Sequence, residues 1–180
     1  MFDFAAQNLI ALGMKKLGKA VAEVTLNDFN SEISIPLAFL DSISAAELLI
    51  RGRILEVEQR ENADDLQKIE LLHGYSIRMA FPRLPELLRN STGYILKNPD
   101  VYRQAVHLRT RLFTENVNST QLIECTLSFA FEAIEPLMIE CWSQIILLHL
   151  PEYDFDIDHH IEKVLAHYEI NTSYHDSIET

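Results

Sequence analysis

Two stretches decide the fold: LAFLDSISAAELLIRGRILEVEQ at residues 37–59 and LLHGYSIRMAFPRLPELL at residues 71–88. In the first, Leu37, Leu40, Ile43, Ser44, Glu47, Ile50, Arg51 and Ile54 return every three or four residues. That spacing is one face of a helix. Pro36 stands at a first-turn position, where its missing N–H does no harm. The helix is therefore expected from Ser34 or Ile35 to about Gln59. Glu47 and Arg51 interrupt its apolar stripe. Four residues apart, they can pair with each other, and both are candidate binding residues. In the second stretch, His73-Gly74-Tyr75 opens a helix running to Asn90. Pro82 and Pro85 are expected to kink or split it near Phe81.

Outward from these stretches the pattern stays helical. Residues 3–24 bring Ala6, Leu9, Ile10, Leu12, Leu17, Ala20, Val21 and Val24 back at helical spacing, although Gly13 and Gly18 weaken the helix by about 1 kcal/mol each. Residues 25–34 are turn-rich, and 60–72 are a charged connector. Asn98-Pro99-Asp100 reads as a helix start, with Asn98 as the N-cap, Pro99 at the first helical position and Asp100 in the first turn. The helix that follows, to about Phe113, carries Arg103, His107, Arg109 and Arg111. It is the basic helix of an acidic protein. After a turn at Glu115–Asn118, Ser119 or Thr120 is expected to cap the longest helix, ending near Leu150 and kinked at Pro136. That helix is apolar nearly all round, as is a helix central in a bundle or one lying in an interface.

The expected fold class is all-α: an antiparallel helical bundle of about five main helices over residues 1–150, with an acidic C-terminal helix and tail over 151–180. SEISI, at 31–35, is the one strand-like run, and it is short.

A chain of 180 residues buries roughly 70% of the surface its unfolded form exposes, so its core needs no disulfide or metal. The net charge of −12 opposes a broad, sequence-independent grip on nucleic acid, which needs clustered cations. It suits instead an acidic partner-binding protein, such as an immunity- or antitoxin-like subunit steered to a basic target. Cys125 and Cys141 would stand about 24 Å apart along one helix at 1.5 Å per residue. They read as reduced thiols of a cytoplasmic protein. No apolar run approaches the length of a membrane span, and the N-terminus lacks the order of a signal peptide.

Few residues point to chemistry. Arg103 and His107, four apart, share a helix face. An Arg to hold a phosphate and a His to move a proton are what RNA cleavage by 2′-hydroxyl attack requires. Together with Arg109 they are the candidate catalytic residues, while Glu47, Arg51, Arg111 and Asn116 are the candidate binding residues. The run Asp154-Phe155-Asp156-Ile157-Asp158-His159-His160 has the start of a calcium loop but lacks its sixth-position Gly and twelfth-position Glu. No metal and no cofactor are expected, and the P-loop, GxGxxG, GxSxG and CxxC patterns are missing.

Two segments carry a resemblance. AAELLIRGRIL (45–55) and the following LLHGYSIRMAFPRLPELL resemble the second-helix and "HGHDL" patterns of HEPN domains (higher eukaryotes and prokaryotes nucleotide-binding), with Tyr75 and Ser76 where His and Asp are usual. VHLRTRLFTENVNSTQLIECTLSFAFEAIEPLMIECW (106–142) is similar to the family's last part, an Arg-bearing helix, a loop and a long helix ending in Trp. The resemblance covers roughly residues 5–148. It implies a helical bundle, a homodimer with the site between protomers, and membership of toxin–antitoxin or phage-defence systems. Active members are metal-independent endoribonucleases with an Arg, a polar neighbour, a short spacer and a His. Here Arg109 aligns with the Arg, Thr110 with the polar neighbour, and Thr114 or Asn116 stands near the His position. Arg103 and His107 have three residues between them. A Thr exchanges no proton near neutral pH, so the resemblance implies a binding or regulatory subunit with weak or absent nuclease activity. The expected partners are a second copy, a protein partner, and RNA or a nucleotide; no membrane is expected.

Overall fold

The computed structural model describes residues 2–26, 33–60 and 80–150. Residues 75–79 of the helix expected over Tyr75–Asn90, the connector at 61–72 and the whole 151–180 segment with its Asp/His run and expected helix lie outside them. Among the described residues every regular element is helical: α1 (Phe2–Leu26), α2 (Ser34–Arg60), a 3-10 turn (Phe81–Arg83), α3 (Leu84–Thr92), α4 (Pro99–Leu112), α5 (Ser119–Ser128), a π-helical segment (Phe129–Ile134), α6 (Glu135–Trp142) and a 3-10 turn (Ile146–His149). The all-α reading is therefore correct.

α1 and α2 run antiparallel. Gly13 faces Leu49 and Gly52 faces Ile10, while Lys16 Nζ reaches Asp41 Oδ1 and Ser44 Oγ, both at 3.1 Å. The rising numbers on one helix thus meet falling numbers on the other. Gly13 and Gly52 explain how closely the two approach: a Cβ on either would stand 2.7 Å from the facing side chain. The helix propensity lost at a glycine is exchanged here for contact between helix backbones. Leu17, Val21, Phe39, Leu49, Ile50 and Ile54 fill the seam with no exposed surface. Each such side chain stabilises the fold by about 1.5–3 kcal/mol on burial.

The connection into α3 breaks where the prolines predict. Ala80 is extended, Phe81–Arg83 form one 3-10 turn, and Pro82 and Pro85 occupy first-turn positions of the turn and of α3. α3 ends at Gly93, whose φ of +75° is the left-handed cap that glycine adopts without strain.

Asn98 stands at the N-cap of α4 as expected, without the expected side-chain bond, and the cap of α5 is placed differently. Asn98 has a left-handed backbone (φ 47°) and makes no side-chain cap to α4. Its amide donates to the carbonyl of Glu132 at 3.1 Å. The cap of α5 is Asn118, not Ser119 or Thr120: its Oδ1 accepts from Thr120 N–H at 2.8 Å.

The helix expected to be the longest is shorter than its apolar run suggests, and both α1 and α2 exceed it. It stops at Trp142, not near Leu150, where Ser143 turns left-handed (φ 54°) and Ser143 N–H bonds to the carbonyl of Ile139 at 3.0 Å. Pro136 modifies it as follows. Proline has no N–H to give the carbonyl four residues earlier and its ring presses on that carbonyl, which here belongs to Glu132. The backbone widens into a π turn in which Glu135 N–H bonds to Ala130, and the carbonyl of Glu132 takes its hydrogen bond from Asn98. One loop residue thus replaces the donor that proline removed.

Candidate functional site

α4 is the element that the sequence marks for chemistry. Tyr102, Ala105 and Leu108 form its buried face. Tyr102 stacks on Phe81 with ring centroids 4.6 Å apart, and Phe129 closes the group at 5.9 Å from Phe81 and 5.6 Å from Tyr102. The Tyr102 hydroxyl donates to the carbonyl of Phe81 at 2.7 Å. Burial pushes that hydroxyl well above its ordinary range, and the nearby Glu47 carboxylate adds to the effect. The aromatic group therefore fixes the 3-10 turn, α4 and the start of the π segment against one another.

Arg109 extends this group to α2. Its guanidinium stands 5.6 Å above the Phe81 ring and 3.5 Å from the Glu47 carboxylate. Arg51, one turn along α2 from Glu47, donates from Nε to Glu47's backbone carbonyl at 3.2 Å. Glu47 and Arg51 are thus neighbours, as their spacing predicts, but the carboxylate is directed to α4. Burial raises the Glu47 carboxyl from its ordinary value, a shift that Arg109, Arg51 and Lys16 oppose without cancelling. Burial likewise lowers Arg51, with Glu47 opposing. At these positions the cost of desolvation exceeds the attraction between the partners. The arrangement clamps α2 to α4, and Arg109 sits in it as a structural cation.

The remaining predicted residues are elsewhere. His107 is exposed and lies two residues from Arg109, about 200° around the helix, so the two side chains leave α4 in nearly opposite directions. Arg103 is exposed, shares the His107 face, and pairs with Asp100 one turn back. It lines a cavity of about 420 Å³ with Pro85, Leu96, Tyr102 and Val106; His107 is not in the lining. Arg111 is held by Glu115 at 2.7 Å. Asn116 is exposed in the α4–α5 turn and lines a separate cavity of about 550 Å³ with Pro36, Leu112 and Val117. The structure therefore joins Glu47 to Arg51 and Arg109, leaves Arg103 with His107 on an outer face, and assembles no common cleft from Arg103, His107 and Arg109 among the described residues.

Two polar positions escaped the sequence reading. Glu56 Oε2 accepts from the Trp142 indole at 3.3 Å and from Arg53 at 2.7 Å, tying the end of α6 to α2. Glu135, just before Pro136, is half-buried, and its Oε2 has no hydrogen-bond partner. Burial pushes its carboxyl up to about 7. An acid directly before a helix-interior proline is the one local signal that could have marked it.

Cys125 and Cys141 are both free. No group of three or more His, Cys, Asp or Glu among the described residues could hold a metal ion, and no helix among them is long and apolar enough to cross a membrane. No family model matches the chain, and neither a curated protein nor a solved structure matches it.

Proposed function

We propose that the chain is a HEPN-like binding or regulatory subunit that acts through partners, with weak or absent nuclease activity. The observation that carries this reading is the division of α4. Arg109 is committed to Glu47 and to the Phe81 ring, while His107 is directed outward on the opposite side. A proton-transfer group and a phosphate-holding cation must converge on one reacting phosphate, and these two diverge. Arg103 already carries a carboxylate counter-ion, Asp100. The partners in this reading are a second copy of the chain and a toxin–antitoxin or phage-defence protein, with RNA or a nucleotide as ligand. A net charge of −12 steers such a protein toward a basic partner.

A metal-independent endoribonuclease is the second reading, and a single observation favours it: Arg103 and His107 share the exposed face of α4. One assay separates the two. Purified full-length protein is incubated with end-labelled RNA in chelator, beside His107→Ala. Intact RNA in both reactions is the expected result. Cleavage by the wild type and not by the variant restores the nuclease and overturns the proposal.

A further inference from the structure

The charge of the chain is divided along its length. Residues 1–111 hold fourteen lysines and arginines against fourteen carboxylates and are neutral. Residues 112–180 hold thirteen carboxylates against one lysine, so the whole net charge of −12 lies in them. Five of the thirteen are on described residues: Glu115, Glu124, Glu132, Glu135 and Glu140. No lysine or arginine stands anywhere from 112 to 150. The acidity of the protein is thus gathered on α5, the π segment, α6 and the residues after them.

α5, the π segment and α6 form one continuous helical run from Ser119 to Trp142. Many of its side chains are buried. Glu124, Ser128, Glu132 and Pro136 are not; four residues apart, they trace an outward stripe that ends in Ile139 and Glu140. A π turn holds more than four residues, so the stripe crosses that segment without leaving the face. At up to 1.5 Å per residue, Glu124 and Glu140 stand about 20–24 Å apart. Both are exposed, and neither makes a hydrogen bond or ion pair among the described residues. Ile139 is 48% exposed beside Glu140. A second observation falls at the same end. Tyr94 is 8% exposed, and its hydroxyl has no hydrogen-bond partner. Burial, with Glu140 and Cys141 nearby, pushes that hydroxyl up to about 12, so it is a neutral donor held close to Glu140. A buried donor without an acceptor is disfavoured, and a Glu140 carboxylate drawn onto the surface would supply one.

We propose that this stripe docks a cationic amphipathic helix of a protein partner: lysine or arginine side chains meet Glu124 and Glu140, an apolar side chain covers Ile139, and Glu140 closes onto the Tyr94 hydroxyl. The inference rests on the partner-binding reading above and adds the surface that binds. Complementary charge chooses the occupant. A stretch with four carboxylates and no lysine or arginine repels a polyphosphate such as RNA. A second copy offers only a neutral half or an equally acidic one. A helix fits the shape of the stripe, since residues three or four apart on one helix interleave with those on another.

The test uses the full-length chain. The probe is a helical peptide of about 18 residues, with lysines on one face and leucines beside them, which at about 27 Å spans the stripe. Binding is followed by the fluorescence of Trp142, the single tryptophan, and by titration calorimetry at about 0.15 M salt, where charges more than about 8 Å apart are screened. Glu124→Gln/Glu140→Gln should weaken binding about tenfold, roughly threefold for each exposed charge pair. Tyr94→Phe should weaken it about threefold. Asp154→Asn/Asp156→Asn/Asp158→Asn should change it by less than about twofold. A peptide of the same composition in scrambled order should bind at least about fivefold more weakly. Circular dichroism should be unchanged throughout, since both glutamates are exposed and phenylalanine keeps the ring of Tyr94. Binding unchanged in Glu124→Gln/Glu140→Gln or in Tyr94→Phe, binding lost with the three aspartates instead, or equal binding of the scrambled peptide would each overturn the proposal. RNA cleavage is not among these readouts, so this surface and the reading above fall separately.

Discussion

Glu135 makes the stability of this bundle depend on pH in a direction opposite to that of a salt-bridged carboxylate. Its side chain is half-buried, its Oε2 has no hydrogen-bond partner, and burial raises its carboxyl from 4.5 to about 7. The folded state therefore holds this proton to a higher pH than the unfolded chain does. The contribution of Glu135 to stability is fully present below 4.5 and is lost as pH rises through about 7. The full gap, at about 1.36 kcal/mol for each tenfold change, gives a ceiling of about 3 kcal/mol. Partial exposure of the side chain screens this to about 1–2 kcal/mol. Glu135→Gln keeps the shape and removes the charge, so the variant should gain on the wild type as pH rises. Between pH 5.5 and 8.5 that gain should be about 1 kcal/mol. The lower limit stays above the isoelectric point of about 4.9, where solubility falls. Urea unfolding followed by circular dichroism at several pH values measures it, because every other carboxylate cancels in the difference between the two proteins. A difference that is flat with pH, or a wild type that gains on the variant above pH 7, would refute the reasoning.

Two further perturbations test the packing and the clamp. Gly18→Ala should destabilise the protein by about 1–3 kcal/mol, since the new Cβ meets a backbone carbonyl at 2.1 Å and not the end of a movable side chain; a thermal or urea melt within a few tenths of wild type would show that the 146–150 segment is not seated where described. A double-mutant cycle on Glu47→Gln and Arg109→Met should give a coupling below about 1 kcal/mol, because Arg109 is 40% exposed and burial already disfavours the Glu47 carboxylate; a coupling above about 2 kcal/mol in urea melts would make the pair a buried structural bridge.

Much of the helical order was legible because it depends on short-range spacing. Apolar residues three and four apart, Pro36 and Pro99 in first turns, and the break near Phe81 all express local rules, and α1, α2 and α4 begin and end close to where those rules put them. The misplaced ends have a common cause. Apolar composition continues through Ile145, Ile146 and Leu148, yet α6 stops at Trp142, because the indole is fixed by Glu56 on another helix and Ile146 is wanted in the core as part of a separate 3-10 turn. Periodicity cannot distinguish an apolar residue that continues a helix from one that ends it by packing elsewhere. Asn98 is a second instance. An Asn before a Pro predicts a capping side chain, but the left-handed backbone of Asn98 gives no capping bond, and its Nδ2 donates to the carbonyl of Glu132, 34 residues away.

The same limit governs the reading of α4. Helical geometry alone separates Arg109 from His107, and it was available from the sequence: residues two apart never share a face. What spacing could not supply is the use to which Arg109 is put. Phe81 meets it from a 3-10 turn with Pro82 in its first turn, and Glu47 meets it from α2, a helix 62 residues earlier in the chain. An arginine whose partners lie in distant segments carries no mark of that role in its own neighbourhood. The residue that most resembles a catalytic arginine in the sequence thus stands between the Glu47 carboxylate and the Phe81 ring, where α2, α4 and the Phe81 turn meet.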